Sequence, residues 1–171
     1  MIRFKQQCTA EFKNNKLSLR GTDSKELADI IADALLLIPT FEEYGAASLG
    51  AVLQAKVIYA RHKEALLNTP YLLISGHSLG AGIGCIIALM MIQDGYRNGL
   101  KIEGKGGIKV LSREAQIRLS NHCIVEWEVQ HRDIVPVLGY WKAPIHNTKR
   151  SGPKKKHMFD YSIQAHVNYW G

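Results

Sequence analysis

The first part of the chain changes from alternating apolar and polar positions to helical spacing. The turn-forming pair Asn14-Asn15 divides residues 1–20 into two alternating runs, which predicts two strands joined by a tight turn. Apolar side chains in residues 27–38 recur at i, i+3, i+4, i+7, i+8 and i+11, the spacing of one helix face. Pro39 lacks the backbone N–H that a helix interior needs, so we expect this helix to end there.

The middle of the chain predicts two more helices and a buried strand. Mixed composition predicts a loop over residues 40–50, and glycines mixed with charges predict a surface connection over residues 96–107. Apolar residues 71–74 predict a strand, and the largely apolar run 79–93 predicts a helix. A further helix is predicted over residues 51–67, with four side chains facing inward: Leu53, Val57, Ala60 and Leu67.

Shorter elements follow, with a strand predicted over residues 108–111, a helical turn or two over 113–119 and a strand over 123–129. Strands that alternate with helices indicate an α/β fold with a mostly parallel central sheet flanked by helices. With 171 residues, 46% of them hydrophobic, we expect a single domain over residues 1–171. The sequence shows no internal repeat and no low-complexity block.

The formal net charge of +7 favours anionic partners, such as phospholipid surfaces or nucleic acid, and equally favours mere solubility. Cys8, Cys85 and Cys123 have no CxxC spacing and an odd count, which argues against a disulfide framework or a structural zinc site. We see no secretory leader, and the apolar run 83–92 is too short to span a bilayer. The predicted location is cytoplasmic or peripheral to a membrane.

The strand at residues 71–74 runs into Gly-His-Ser-Leu-Gly and then into the apolar helix. A strand-to-helix turn this sharp needs small residues on both sides, which Gly76 and Gly80 supply, and it pushes the hydroxyl of Ser78 clear of the sheet. The five-residue pattern arises by chance in roughly 5% of chains this long. The motif alone is therefore only suggestive, and it is its position between an apolar strand and an apolar helix that indicates a nucleophile elbow.

A serine hydroxyl is a weak nucleophile, so a reactive Ser78 needs a histidine base and a carboxylate that orients it. In sheets of this type the acid and the base follow later strands, in the order Ser, Asp or Glu, His. Asp133 comes shortly after the strand that ends at Val129, and His166 follows later in the chain. The sequence therefore indicates the set Ser78, Asp133 and His166.

Other side chains compete for these roles. His131 precedes Asp133 and breaks the expected order. The distance of His166 downstream of Asp133 and its neighbours Tyr169-Trp170 favour it over His146 and His157. Asp160 is an alternative acid, but no predicted strand precedes it. Each residue also has a purely structural interpretation, as a serine in an ordinary tight turn or as a solvated histidine.

Four short motifs resemble those of the class 3 lipases, a family of α/β-hydrolases also called fungal triacylglycerol lipase-like proteins. They occur in the family's order between residues 19 and 170. The strand end is Leu19-Arg20-Gly21-Thr22-Asp23-Ser24, and the elbow is Gly76-His77-Ser78-Leu79-Gly80. The acid loop is Asp133-Ile134-Val135-Pro136, and the final motif is His166 with Tyr169-Trp170.

The resemblance implies a role for each matched residue. Ser78 would be the nucleophile, His166 the general base and then acid, and Asp133 the residue that orients His166. Thr22 and the backbone N–H of Leu79 would form the oxyanion hole. This chemistry requires neither a metal nor an organic cofactor.

The sequence departs from the family pattern at several places. Asp29-Ile30-Ile31 stands where the family has an aromatic residue in Asp-Trp-Leu, and Glu43-Tyr44-Gly45-Ala46 stands in place of His-x-Gly-Phe. Ala81 replaces the second glycine after the elbow. The chain is also shorter than secreted members, so we expect a minimal lid and a substrate other than bulk triacylglycerol.

A basic run lies between the proposed acid and base, and its cations are Lys149, Arg150, Lys154, Lys155 and Lys156. The plainer interpretation of such a run is a solvated loop near the mouth of the site. The functional one is attraction to anionic lipid head groups, worth about 1 kcal/mol per basic residue at a charged membrane. Nucleic acid ranks lower as a partner, because no recognisable nucleic-acid fold accompanies the charges.

Two functions of different classes remain. The first is a serine carboxylic ester hydrolase that acts on lipid esters, such as an anionic phospholipid or lysophospholipid, through an acyl-enzyme. The second is a hydrolase-like module that uses its basic surface to bind anionic membranes or a partner without turnover. The complete set of Ser78, Asp133 and His166 favours the first, since a pure binder does not need all three.

Overall fold

The computed structural model describes residues 8–21, 38–131, 133, 135 and 148–151. Six strands form the central sheet, in the order β1-β2-β5-β6-β7-β8, and β3 and β4 form a separate hairpin. The strands are β1 Thr9–Lys13, β2 Lys16–Arg20, β3 Pro39–Glu42, β4 Gly45–Ser48, β5 Tyr71–His77, β6 Gly99–Lys105, β7 Ile124–Gln130 and β8 Thr148–Ser151. The described helices are α1 Leu49–Leu67, α2 Leu79–Gln93 and α3 Arg113–Ser120.

The predicted hairpin at the start of the sheet is confirmed. Strands β1 and β2 pair antiparallel, with Lys13 opposite Lys16. Asn14 and Asn15 both have positive φ, at 51° and 59°. Asparagine tolerates this left-handed conformation better than most residues, and two such residues make the turn whose twist matches a hairpin.

The predicted mostly parallel sheet is also confirmed, because β2, β5, β6, β7 and β8 all pair in parallel. Buried side chains alternate with half-exposed ones along β5 and β6. The buried face packs against α2, whose Gly84 lies beside Ile74 of β5 and Leu19 of β2. Nearly every side chain of α2 is buried, so this helix forms the centre of the core.

Two predictions for the second half of the sheet are wrong. Part of the expected surface connection over residues 96–107 is β6, which lies between β5 and β7 inside the sheet. Its charged Lys101, Glu103 and Lys105 are half-exposed on one face, while Leu100 and Ile102 are buried on the other. The expected strand over residues 108–111 is an extended segment outside the central sheet, with one bridge between Leu111 and Ala47.

The loop predicted over residues 40–50 is wrong as well, because these residues form most of the β3–β4 hairpin and the start of α1. The second helix is confirmed, but its inward face is misassigned. Leu53 and Val57 are 38% and 49% exposed, and Ala60 also faces solvent. The buried face instead includes Ala51 and Ala55, whose small side chains permit close packing of α1 against α2.

The basic run begins in a strand rather than a loop. Lys149 and Arg150 belong to β8, which forms the edge of the sheet beside β7, and both are exposed. Charged side chains on an edge strand discourage pairing with another chain. Lys154, Lys155 and Lys156 lie outside the described residues, as does the helix predicted over 27–38 apart from its last residue. No described helix is long and apolar enough to span a bilayer.

Candidate active site

Ser78 is the single residue between the end of β5 and the start of α2. Its backbone has φ 56° and ψ −129°, a combination that costs a non-glycine residue about 1–3 kcal/mol. The residue is fully buried, and no described residue makes a hydrogen bond to its Oγ. A strained serine between a strand and a helix is the geometry expected of a nucleophile elbow. The hydroxyl of an elbow serine is ordinarily exposed at the top of the sheet, whereas that of Ser78 is covered by the described residues.

The two glycines of the motif are required by close backbone contacts. A Cβ at Gly76 would lie 2.6 Å from the backbone nitrogen of Ala81, and one at Gly80 would lie 2.6 Å from the carbonyl oxygen of Leu19. Real Cβ atoms do not approach backbone atoms this closely. The elbow therefore needs glycine on both sides of Ser78, as the sequence predicts.

Backbone hydrogen bonds hold Ser78 from two sides. Its N–H donates to the carbonyl oxygen of Lys105, at the end of β6, over 3.0 Å. Its own carbonyl oxygen accepts from the N–H of Ala81 in the first turn of α2, at 3.1 Å. The position of Ser78 thus depends on the end of β6 as well as on its own strand and helix.

The turn that follows β2 lies directly beside the elbow. The N–H of Gly21 donates to the carbonyl oxygen of His77 over 3.3 Å. A Cβ at Gly21 would lie 3.1 Å from Ser78 Cβ and 3.2 Å from the backbone nitrogen of Leu79. Gly21 is therefore a close neighbour of Leu79, one of the two predicted oxyanion residues. Thr22, the other, follows Gly21 in the sequence and lies outside the described residues.

Leu79 is the first residue of α2 and is fully buried. The first N–H groups of a helix have no acceptor within the helix, and the helix dipole makes them attractive to an anion. The N–H of Leu79 is thus suited to stabilise negative charge that develops next to Ser78.

Asp133 lies beyond the end of β7 and is 1% exposed. Its N–H donates to the carbonyl oxygen of Gln130 at 3.1 Å, and its Oδ1 accepts from the N–H of Val135 at 2.8 Å. Because β5 and β7 run parallel on either side of β6, Asp133 lies at the same edge of the sheet as Ser78. His166 lies outside the described residues, as do the competing residues His146, His157 and Asp160.

The cysteines are not alternative nucleophiles on physical grounds. All three are free, with Cys8 and Cys85 buried. Burial raises the pKa of Cys8 and of Cys123 to about 12, and it raises that of Cys85 strongly. The reactive form of cysteine is the thiolate, so these thiols are inert near neutral pH. Within the described ranges, no group of His, Cys, Asp and Glu side chains forms a metal site.

The contribution of the segment that ends β6 was not predicted from the sequence. Lys105 holds the N–H of Ser78 through its carbonyl oxygen, and Gly104 and Gly107 lie against the indole ring of Trp127. The run Gly104-Lys105-Gly106-Gly107 was visible in the sequence, but its glycine content led to the prediction of a surface loop. The alternation of buried Leu100 and Ile102 with charged residues was the overlooked strand pattern.

Comparison with known proteins agrees with this geometry. A comparison with curated proteins finds no match. Among solved structures, the fold is similar to the triacylglyceride lipase of Rhizomucor miehei, with TM-score 0.65 and 18% identity over 80% of this chain and 57% of that one. It is similar to lipase II from Rhizopus niveus, with TM-score 0.60 and 20% identity over 71% and 51%. It is also similar to the Lip2 lipase of Yarrowia lipolytica, with TM-score 0.57 and 16% identity over 75% and 53%.

The chain thus spans little more than half the length of these three lipases. The family model of the class 3 lipases matches residues 17–142, which contain Ser78, Leu79 and Asp133 in the places just described. This match covers most of the sequence and includes the elbow and the acid loop, so the chain belongs to the class 3 lipase family.

Proposed function

We propose that this protein hydrolyses carboxylic esters of lipids through an acyl-enzyme formed on Ser78. The observation that supports this most directly is Ser78 itself, which is strained, buried and placed between the Gly21 turn and the N–H of Leu79. Such strain persists only where the surrounding structure enforces it, and it concentrates at functional sites. Membership of the class 3 lipase family supports the same reaction class.

In the proposed reaction, Ser78 Oγ attacks the ester carbonyl carbon while its proton passes to the imidazole of His166. The ester C–O bond then breaks, and the leaving alkoxide takes that proton and departs as an alcohol. Water attacks the acyl-serine next, giving up a proton to His166 and releasing the carboxylic acid. Return of the proton to Ser78 Oγ restores the enzyme, while Asp133 keeps the imidazole oriented and stabilises its charged form.

Negative charge gathers on the carbonyl oxygen during each attack. The N–H of Leu79, already fixed at the start of α2, is the proposed first donor to that oxygen, and Thr22 is the proposed second. Donors that are aimed before the reaction need no reorganisation, and the loss of one typically raises the barrier by about 3 kcal/mol.

A row of charged side chains at the carboxyl ends of the strands supports a preference for anionic lipids. Cross-strand pairing places five residues in one row, here called the carboxyl-edge row: Arg20, His77, Lys105, Glu128 and Lys149. The side chains of Arg20, His77 and Lys105 lie on the face opposite α2, because they alternate with buried residues along their strands. Cross-strand pairing continues the row to Glu128 and Lys149. Three cations and one carboxylate give this row a net positive charge next to the elbow, which favours a phosphate or carboxylate group on the substrate.

A panel of fluorogenic esters tests the reaction class and the substrate together. Acyl chains of increasing length, each on a neutral and on an anionic head group, should be cleaved with burst kinetics that report an acyl-enzyme. Arg20→Gln should lower kcat/KM for anionic esters several-fold relative to neutral ones. Lys16→Gln is the matched control, because Lys16 lies on the same strand and face but at the opposite end. Equal effects of both variants would contradict the role of the carboxyl-edge row.

We also propose that the exposed cations of β8 contact anionic membranes. Lys149 and Arg150 lie on the edge strand of the sheet, and both are exposed. Lys154, Lys155 and Lys156 follow in the sequence and belong to the same proposal. At about 1 kcal/mol per basic residue, two such residues change vesicle affinity about thirtyfold.

Sedimentation with vesicles of phosphatidylcholine alone or mixed with phosphatidylserine tests this contact. Lys149→Gln/Arg150→Gln should weaken binding to the anionic vesicles, whereas Lys13→Gln/Lys16→Gln removes the same charge at the far end of the sheet and should not. Raised salt should abolish the difference between the two variants. Vesicle binding without turnover of any ester would favour the binding-module interpretation over the enzyme.

A further inference from the structure

The indole ring of Trp127 lies across two glycines at the end of β6. Trp127 is on β7, faces α2 and is 4% exposed. A Cβ at Gly104 would lie 2.8 Å from its Cδ2, and a Cβ at Gly107 would lie 2.6 Å from its Cη2, with other ring atoms closer still. The absence of side chains at both positions is therefore what allows the ring to pack against this segment.

The segment under the ring is the one that holds Ser78. The carbonyl oxygen of Lys105 accepts the hydrogen bond from the N–H of Ser78. Gly106, with φ 56°, donates to the carbonyl oxygen of Glu128, which ties the turn to β7 beside Trp127. On its other side the turn meets α2, since a Cβ at Gly107 would lie 2.9 Å from the Cβ of Ala81. The turn is thus enclosed between the indole ring and the first turn of the elbow helix.

We propose that Trp127 is a positioning residue for the elbow. By pressing residues 104–107 against α2, its ring fixes the Lys105 carbonyl oxygen and the first turn of α2, and through them the orientation of Ser78. The inference rests on the proposed function, because orientation of Ser78 has a measurable effect only if Ser78 is acylated. Trp127 itself does not contact the reacting atoms.

The test uses Gly107→Ala, which adds one methyl group where the indole ring lies. A small apolar cavity bounded by Trp127, Gly82 and Cys85 gives the ring room to shift, so the variant is expected to fold. A displacement of about 1 Å can cost about 100-fold in rate, so we expect acylation by a soluble ester to slow at least tenfold. The KM and the pH at half-maximal rate should stay within experimental error of the wild-type values, because substrate binding and the base are untouched.

Gly99→Ala is the matched control. Its new methyl group would lie 2.8 Å from Cε1 of Tyr71, but that ring is 76% exposed and can swing into solvent. Both variants place alanine at a glycine of β6 or of the segment that follows it, next to an aromatic ring, and only one of those rings lies on the segment that holds Ser78. The control should acylate within twofold of the wild-type rate.

The double variant Gly107→Ala/Trp127→Phe separates positioning from general packing. A smaller ring leaves space for the methyl group, so the double variant should acylate faster than the product of the two single effects predicts. If folded Gly107→Ala is acylated at the wild-type rate, Trp127 does not position the elbow. The same conclusion follows if the acylation rate of the double variant equals the product of the two single effects. If the wild-type protein is not acylated at all, it is the proposed function that fails, and the outcome is thus distinguishable.

Discussion

The backbone nitrogen of Gly21 and the Cα of Gly80 meet so closely that a Cβ at Gly80 would lie 3.1 Å from that nitrogen. The same Cβ would lie 2.6 Å from the carbonyl oxygen of Leu19. The first turn of α2 is therefore seated directly on the end of β2. This contact sets the spacing between the Leu79 N–H and the turn that leads to Thr22, the two places from which oxyanion donors are proposed.

We predict that Gly80→Ala is far more damaging than Gly84→Ala. At position 80 the new methyl group meets backbone atoms, which cannot move without separating α2 from β2. At position 84 it meets side-chain atoms of Ile74 and Leu19 and no backbone atom, so the helix and strand need not separate. Overpacking costs typically about 1–3 kcal/mol, and we expect Gly80→Ala at or above that range. Urea unfolding monitored by circular dichroism measures the difference, and equal losses would contradict the described contact.

We predict that Ser78→Gly stabilises the protein while abolishing ester hydrolysis. Glycine adopts φ 56° and ψ −129° without the clash that serine suffers, so removal of the strain should outweigh the entropy that glycine adds to the unfolded chain. Ser78→Ala keeps the strained backbone and removes only the hydroxyl. Thermal unfolding should therefore give a higher Tm for Ser78→Gly than for Ser78→Ala, and the reverse order would show that the elbow is not strained.

We predict that Asp133→Asn loses activity with little change in fold. Asparagine keeps an Oδ1 acceptor for the N–H of Val135, so the turn after β7 should survive. It removes the negative charge that would orient and stabilise the imidazolium, a change that costs about 10⁴-fold in kcat in a serine protease. Asp133→Ala should lose both the turn and the activity. A substantially active Asp133→Asn would assign the acid role to another residue, with Asp160 the first to examine.

The parts of the fold that depend on local sequence, including the elbow at Ser78, were predictable from the sequence. The Asn14-Asn15 turn, the β5 strand and the elbow each depend on a few adjacent residues, whose conformational preferences are local. The buried face of α1 depends instead on which neighbour the helix meets. Leu53 and Val57 are larger than Ala51 and Ala55, so hydrophobicity alone selects the wrong face, and only the close packing against α2 reveals the right one.

Strand β6 shows a second limit. Gly104 reads as a loop residue because its role depends on Trp127, which comes later in the sequence and lies on the neighbouring strand. Lys101 was predicted to be only a surface charge because Glu126, one of its two ion-pair partners, is brought to it by the parallel pairing of β6 and β7. The elements that were predicted wrongly are therefore those whose structure depends on contacts between residues far apart in the sequence.

We predict that acid pH removes a stabilising contact between α1 and the end of α2. The hydroxyl of Tyr59 and the ammonium of Lys63 each reach Asp94 Oδ2 at 2.7 Å, and these hydrogen bonds hold the pKa of Asp94 below its usual range. Because the pKa of Asp94 is lower in the folded state, its charge stabilises the fold at pH values above the pKa of an unfolded aspartate, near 3.9. This contribution is lost as the pH falls through the pKa of the folded state. Since the Asp94 side chain is 35% exposed, we expect this contact to contribute about 1 kcal/mol to the free energy of unfolding at pH 7.

The measurement is the free energy of unfolding of Asp94→Asn and of the wild-type protein between pH 7 and pH 2. The two should differ at pH 7 and converge as Asp94 becomes protonated. Glu64→Gln, at an exposed position on α1, removes the same charge and should show no such pH dependence. A difference for Asp94→Asn that persists unchanged at pH 2 would show that the carboxylate charge is not what stabilises this contact.

Covalent labelling shows whether the hydroxyl of Ser78 is a reactive nucleophile. A fluorophosphonate should form a phosphonyl ester on the wild-type protein, with mass spectrometry locating the adduct at Ser78. Folded Ser78→Ala should show no adduct, and His166→Ala should label far more slowly because the base is missing. An unlabelled wild-type protein, or an adduct on a residue other than Ser78, would show that Ser78 is not the nucleophile.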